Sequence, residues 1–293
     1  MVDRAKPNSS RCRSIMRQFE RASYLFCPAP LTPRGFTHEE LIDGTELRRL
    51  VPAVAESCPG GVVSRRDGAA QPARTTTAFR RKAEQLGTTI REGVLATNIR
   101  KEQGRWHVDV GAETFAAPVL VNAAGAWAGR IAALLGEPVP VETIAPMLMI
   151  TSPVAHFIDP VVILRGRKLS FKQFPNGTVL IGGGHLATPD QDRNETVLDW
   201  RKLAESARTV AELFEVMRGA TITRAWAGIE ARMRDDIPVF GPSALHEGLY
   251  HQFGFSAHGF QLGPGAGAVM AELIVHGGTQ TRISGLSIAR FSQ

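Results

Sequence analysis

The stretch from Tyr250 to Met270, YHQFGFSAHGFQLGPGAGAVM, constrains the fold most tightly. It reads as a short strand, a loop holding Ser256, His258 and Gln261, and a glycine-rich opening of a last helix expected from Pro264 to His276. The first turn of a helix carries unpaired N–H groups and partial positive charge, so such a junction can hold electron-rich oxygens. Gly263, Gly265 and Ala268 fit G-x-G-x-x-A, a dinucleotide fingerprint. That fingerprint needs a following strand and an acidic residue about 20 positions on. After Glu272 the chain has no acid and little room for such a unit. The loop can therefore meet a cofactor's edge without being its pyrophosphate loop.

A second junction, PVLVNAAGAW from Pro118 to Trp127, reads as a buried strand that turns through small residues into a helix from Ala126 to Leu135, ended by Gly136. Small side chains at a crossover admit a ligand's backbone or ribose, and they serve a tight packing joint equally well. Upstream, HEELIDGTELRRLVP reads as two short helical phrases, with Thr37 and Asp43 or Thr45 as caps. A helix is expected over Thr75–Leu86, with Gly87 at its C′ position. Thr88–Gly93 reads as a strand, followed by a meander over Leu95–Arg100, Trp106–Val110 and Thr114–Ala116. Beyond Val139 strands dominate: Met147–Thr151, Val161–Leu164, then Leu169–Gln173 and Val179–Gly182 joined by the hairpin turn Asn176-Gly177. Leu198–Arg218 is helical, and Ile222–Trp226 is a strand followed by an irregular loop to Pro242. Residues 1–15 read as poorly ordered, and Ile15–Leu25 as a helix or irregular segment.

The charged run RAWAGIEARMRDDIPVFGP, Arg224 to Pro242, reads as a salt-bridged surface loop. Asp235 and Asp236 lack a histidine or a second carboxylate pair at ligand spacing, so no metal site is expected. A lone histidine such as His258 is either hydrogen-bonded structure or a functional group. Ser256 lacks the G-x-S-x-G elbow of a nucleophile.

Composition narrows the class. The 293 residues carry 43% hydrophobic and 21% charged residues, as ordinary globular proteins do, and 29 glycines with 18 prolines suit a turn-rich α/β or α+β chain. The longest apolar runs are too short to span a bilayer, and the polar, basic N-terminus shows no signal peptide. The three cysteines, Cys12, Cys27 and Cys58, have no metal-like spacing and read as reduced thiols, so a cytoplasmic location is expected. The net charge of +6 is scattered along the chain rather than striped, which argues against a nucleic-acid partner.

In register, the phrases DGAAQP, EGVLATNI, VLVNAAGAWA, LSFKQFPNGTVLIGGG, WAGIEARMRDDIPVFGP and HQFGFSAHGFQLGPGAG resemble the FAD-dependent oxidoreductases of the D-amino-acid oxidase superfamily. That superfamily includes glycine and sarcosine oxidases. The phrases WAGIEARMRDDIP and FGFSAHGFQLGPG look most similar to opine oxidase B subunits and the FAD subunit of hydrogen cyanide synthase. The resemblance runs from Asp67 to the C-terminus, with a weaker extension back to Phe36. It implies a mixed α/β (α+β) fold in which a Rossmann-like FAD domain is interleaved with a sheet-based substrate domain. The substrate domain takes residues 16–58 and 139–221, and the FAD domain 59–138 and 222–293.

Carried over residue by residue, the resemblance sets Val94 at the adenine of FAD and Ala123, Ala124, Gly125 and Trp127 along its phosphates and ribose. His258, Gly259, Phe260 and Gln261 approach the flavin's pyrimidine edge. It implies oxidation of a C–N bond in a small amine or amino acid by hydride transfer to flavin. Three carboxylate anchors depart from the pattern. Glu230 and Ala257 stand where glycine-oxidase-like members have arginines, and Gln261 stands where sarcosine-oxidase-like members have a lysine. Lys172, Arg165 or Arg232 are then expected to meet a carboxylate, and Glu230 a cationic amine. The substrate would be an opine, an N-methyl amino acid or glycine. The family's opening strand, G-x-G-x-x-G and helix take at least about 30 residues, and no such phrase is visible. A truncated product, a misassigned start or a chain completed by a partner subunit is expected, as is an exposed apolar edge at Pro118–Asn122. The alternative function is a non-catalytic remnant that cannot hold FAD by itself.

Overall fold

In a computed structural model, the structure describes residues 38–291. The expectations for residues 1–15, Ile15–Leu25, Thr37, Cys12 and Cys27 lie outside the described residues. In chain order the first elements are β1 (Glu40–Asp43), α1 (Gly44–Leu50), β2 (Gly60–Val63) and α2 (Pro72–Gln85). Next come β3 (Ala96–Glu102), β4 (Arg105–Val110), β5 (Glu113–Ala117), β6 (Leu120–Asn122) and α3 (Ala128–Leu134), the last preceded by a 3₁₀ turn at Gly125–Trp127. Then follow β7 (Val141–Ile144), β8 (Met147–Thr151), β9 (Val162–Leu164), β10 (Leu169–Gln173) and β11 (Val179–Gly182). β12 (Thr188–Asp190), β13 (Glu195–Val197), α4 (Trp200–Leu213), β14 (Ile222–Ala227) and β15 (Glu230–Met233) come next. The chain closes with β16 (Val239–Pro242), β17 (Leu249–Phe253) and α5 (Gly259–His276), then two short 3₁₀ turns.

The described chain divides into two compact units. One holds residues up to Ala69, Pro146–Thr188 and Thr196–Gly228, and the other Ala70–Ala145, Pro189–Glu195 and everything from Ile229. The changes of unit after Ala69, Ala145 and Gly228 compare with the sequence boundaries after 58, 138 and 221.

The first unit is built on a five-stranded antiparallel sheet, ordered β14-β8-β11-β10-β9. β8 and β10 alternate buried and half-buried residues, so one face is apolar. Phe171 stacks on Phe214 with ring centroids 4.7 Å apart, and Phe157 tilts against both. Helix α4 starts where Asp199 accepts the N–H groups of Arg201 and Lys202, and buries Leu203, Val210 and Leu213. Ahead of α1, Asp43 is the cap: its Oδ1 accepts the Glu46 N–H at 2.9 Å. The first helical phrase expected there is instead strand β1, because Glu40–Asp43 pairs in full with Gly60–Val63.

The second unit carries three small sheets. β3-β4-β5 is antiparallel, β7 pairs with β15, and β16-β17-β6 joins an antiparallel to a parallel pair. One core gathers Ala128, Ala132, Met233, Val239 and Phe253, and a second sets Phe240 on Met270 and Leu273 of α5. Several expectations are corrected here. Thr88–Gly93 forms no strand; its residues are exposed and no ladder partner exists among the described residues. Arg224–Pro242 is not one irregular loop, since β15 and β16 lie within it. The strand at Pro118–Asn122 is shorter than expected and not buried along its length: Asn122 is buried, whereas Val121 is 37% exposed. Among the described residues β6 has β17 as its sole ladder neighbour, so it stands at a sheet edge.

Helix α5 begins at Gly259 rather than Pro264. Pro264 is then the sixth helical residue, inside the helix, where its missing N–H removes one i→i−4 hydrogen bond, and the first turn lies ahead of it. Gly263, Gly265 and Ala268 consequently sit inside a helix and form no loop.

Candidate functional site

Two of the sequence-predicted clusters come together through the parallel pair. β6 and β17 run side by side in register, with Leu120 opposite Leu249 and Asn122 opposite His251. The chain leaves both strands at the same carboxyl end of the sheet: after β6 into Ala123–Trp127, after β17 into Gly254–His258. Ligands of α/β sheets bind outside the carboxyl ends of such strands.

At the first exit, Ala123 and Gly125 are exposed and Gly125 takes a φ of +53°. A side chain added at Gly125 would meet nothing within 4 Å, so the turn opens on free space. The positive φ favours glycine. Trp127 faces inward by comparison: its Nε1 donates to Gln191 O at 3.1 Å, while Gln191 Nε2 donates to Ala126 O at 2.7 Å.

At the second exit, Ser256 and Ala257 both have positive φ, +50° and +69°. Consecutive left-handed residues other than glycine are strained and persist only where the surroundings hold them. Ser256 supplies that hold. It is buried; its Oγ accepts the Met233 N–H at 3.1 Å and donates to Gly254 O at 3.1 Å, while its own N–H donates to Ala231 O. The loop is thus clipped to β15. His258 stands at the N-cap of α5, its Nδ1 2.8 Å from Ser256 O, and its side chain caps no N–H of the helix. Gly259, Phe260 and Gln261 form the first turn of this 18-residue helix, which has no acid in that turn. Their N–H groups keep the partial positive charge of the helix end.

The other predicted residues lie elsewhere. Val94 is 48% exposed, just before β3 in the antiparallel sheet. Lys172 belongs to β10 of the other unit, with its ammonium 4.9 Å above the Phe174 ring. Arg165 is exposed in the turn between β9 and β10. On β15, Arg232 is paired with Asp236 at 3.0 Å, and Asp235 with Arg290 at 3.2 Å, as a salt-bridged surface would have them. Glu230 differs. It is half-buried opposite Ile144, its carboxylate forms no ion pair among the described residues, and burial pushes its pKa up.

Sequence reasoning missed a polar group beside the first turn: buried Asn122, Glu137 and His251, with half-buried Ser243. Glu137 Oε2 lies 2.9 Å from His251 Nε2 and accepts from Ser243 Oγ at 2.6 Å, and Oε1 accepts from the Ala244 N–H at 2.7 Å. These three hydrogen bonds outweigh burial and hold the carboxyl below its ordinary range. The signal available was His251 itself. A histidine at an inward position of an alternating strand needs a buried partner, but its partner is 114 residues away in sequence.

The chain is similar to known proteins in sequence and in fold. Residues 10–273 match the family model described as DAO, FAD dependent oxidoreductase, so the match begins well ahead of Phe36. The chain is 25% identical over 242 residues to the sarcosine oxidase subunit beta of Rhodobacter capsulatus, covering 80% of this chain and 58% of that protein. It is 28% identical over 240 residues to the hydrogen cyanide synthase subunit HcnC of Pseudomonas aeruginosa, covering 80% and 55%. The chain thus spans little more than half the length of these curated relatives. In fold it is similar to the crystal structure of glycine oxidase from Geobacillus kaustophilus, with a TM-score of 0.81 at 20% identity over 97% of this chain and 72% of that one. By the family match, which extends over most of its length, the chain is a member of the DAO family of FAD-dependent oxidoreductases.

Proposed function

We propose that the protein binds FAD across the carboxyl ends of β6 and β17 and takes part in oxidising the C–N bond of a small amine or amino acid. The observation that carries this reading is the pairing of two exits on one sheet end: an open small-residue turn at Ala123–Gly125 and the uncapped first turn of α5. Bound FAD supplies a hydride acceptor. The chain's own part is binding and orientation. Ala123, Ala124 and Gly125 present no side chain that blocks a phosphate or ribose, and Trp127 is held in place by Gln191. Val94 meets the adenine end. Gly259, Phe260 and Gln261 direct N–H groups toward the ring edge where negative charge collects on reduction.

Glu230 supports a cationic substrate. A half-buried carboxylate with no ion-pair partner among the described residues and a pKa raised by burial gains from a positive neighbour, and a protonated secondary amine such as an opine or an N-methyl amino acid supplies one. On the same strand as Glu230, Arg232 is the cation assigned to a substrate carboxylate, after release from Asp236.

The direct test is titration of the purified chain with FAD, followed by anaerobic addition of glycine, sarcosine and an N-carboxyalkyl amino acid. Quenching of flavin fluorescence and bleaching of its absorbance by one of these amines is expected. A chain that leaves FAD fluorescence unchanged overturns the reading. It would favour a second one, a chain that does not hold FAD by itself, which the pairing of β6 with β17 alone among the described residues supports. Glu230→Gln is expected to weaken amine binding about tenfold with FAD affinity intact; unchanged amine affinity removes Glu230 from the substrate site.

A further inference from the structure

Asn122 ends β6 with its side chain 3% exposed and spans the turn that follows. Its Nδ2 donates to Ala128 O at 2.9 Å and lies 3.4 Å from His251 Nδ1, while its Oδ1 faces the Ala124 N–H at 3.4 Å. One amide therefore meets the turn Ala123–Gly125 at Ala124 and the start of the following helix at Ala128. His251, fully buried opposite it on β17, reaches Glu137 with its other nitrogen.

Hydrogen-bond polarity is fixed along this chain of groups. Glu137 is an ionised acceptor for Ser243 and Ala244, so the His251 nitrogen that faces it carries a proton. Asn122 Nδ2 is held as a donor by the Ala128 carbonyl, so its second hydrogen points at His251 Nδ1, which must be bare. A neutral imidazole protonated at Nε2 satisfies every contact. The other tautomer sets a lone pair against the Glu137 carboxylate and N–H against N–H at Asn122. Turning the amide over relieves that clash only by placing Oδ1 against Ala128 O and the NH2 group against the Ala124 N–H.

We propose that the buried chain Glu137–His251–Asn122 is a positioning device that locks the Asn122 amide and, through it, the turn Ala123–Gly125 for the ligand held there. Glu137 and His251 are positioning residues: they touch Asn122 or each other and act on the turn from beside it. The ligand rests on the reading of this turn as an FAD contact, whereas the lock stands on the hydrogen bonds alone.

The test uses the full chain with 15N-labelled histidine. Ring-nitrogen spectra, with His251 assigned by its loss in His251→Asn, are expected to show the neutral tautomer protonated at Nε2; a proton on Nδ1 overturns the proposal. Glu137→Gln keeps the shape but can offer an amide hydrogen to His251, which frees the tautomer. Hydrogen exchange at Ala124, Gly125 and Trp127 is then expected to rise about tenfold, with Val108 and Leu273 unchanged. No rise at the turn, or an equal rise at Val108 and Leu273, overturns the lock. Fluorescence titration with FAD on the same samples separates the two claims. Affinity about tenfold weaker in Glu137→Gln is expected, and unchanged affinity beside a loosened turn overturns the role in ligand positioning. A wild-type chain that fails to quench FAD removes the cofactor reading and with it the ligand role, while tautomer and exchange still decide the lock.

Discussion

The sheet β14-β8-β11-β10-β9 and the sheet β16-β17-β6 use different means to fix their neighbours. Under the first, Leu169, Phe171, Val179 and Ile181 are buried, and Phe171 and Phe214 lie nearly parallel at 9°. Under the second, His251 and Asn122 occupy directly opposed positions in the register and are joined to Glu137 by hydrogen bonds. Apolar stacking is non-directional and is sensitive chiefly to volume. A buried polar chain is directional: each donor needs one acceptor, and reversing one group leaves several unsatisfied. The first arrangement stabilises a sheet, and the second also sets the orientation of a turn.

The largest expected effect tests the apolar side. Phe171→Ala should cost about 3–5 kcal/mol in denaturant unfolding of its unit, and Phe171→Leu roughly 1–1.5 kcal/mol. A loss from Phe171→Leu as large as that from Phe171→Ala would break the contrast, because volume would not be the controlling variable.

Next in size, Glu137→Ala leaves the Ser243, Ala244 and His251 donors facing an empty site and should cost about 2–4 kcal/mol. The carboxyl of Glu137 is held below its ordinary range in the folded chain. Its contribution is therefore full above the unfolded value, about pH 4.3, and is lost as pH falls through the folded value. Thermal unfolding from pH 6 down to pH 3 should show this slope in the wild-type chain and a weaker slope in Glu137→Gln. An identical slope in both would assign the acid sensitivity to other carboxylates.

The smallest effect concerns the strained loop. Ala257→Gly removes the Cβ from a residue at a φ of +69° and should stabilise by about 0.5 kcal/mol, the left-handed penalty less the entropy of glycine. Ser256→Gly relieves strain in the same way but removes the clip to Met233, so a net loss is expected. A gain there would show that the clip contributes nothing.

Periodicity and turn chemistry made many elements legible. The meander β3-β4-β5 was legible from its strands, and the turn between β3 and β4 falls at Gln103-Gly104, with φ of +48° and +76°, where only the glycine takes a positive φ freely. The hairpin between β10 and β11 follows from Asn176-Gly177, where Gly177 has a φ of +84°. The misreadings fall where a partner decides. Glu40–Asp43 carries helix-compatible residues, yet pairing with Gly60–Val63 makes it a strand. Thr88–Gly93 has a strand's composition, yet finds no ladder partner among the described residues. For the site, the small-residue turn after β6 and the loop after β17 were both visible as phrases. The Glu137–His251 contact was not, because it closes across 114 residues and involves residue types that also serve as ordinary surface charge.

By itself the sequence determined the family, the two strand-to-helix junctions and the absence of a fingerprint loop near Gly263. These depend on local residue order, which dictates backbone freedom and helix ends. Tertiary structure alone decided that the two junctions leave neighbouring parallel strands on one side of a sheet. It also decided that α5 begins at Gly259, so that Gly259–Gln261 form a helix end rather than a loop. Register and burial are properties of pairs of segments, and a buried carboxylate acquires its meaning only from the donors that the fold brings to it.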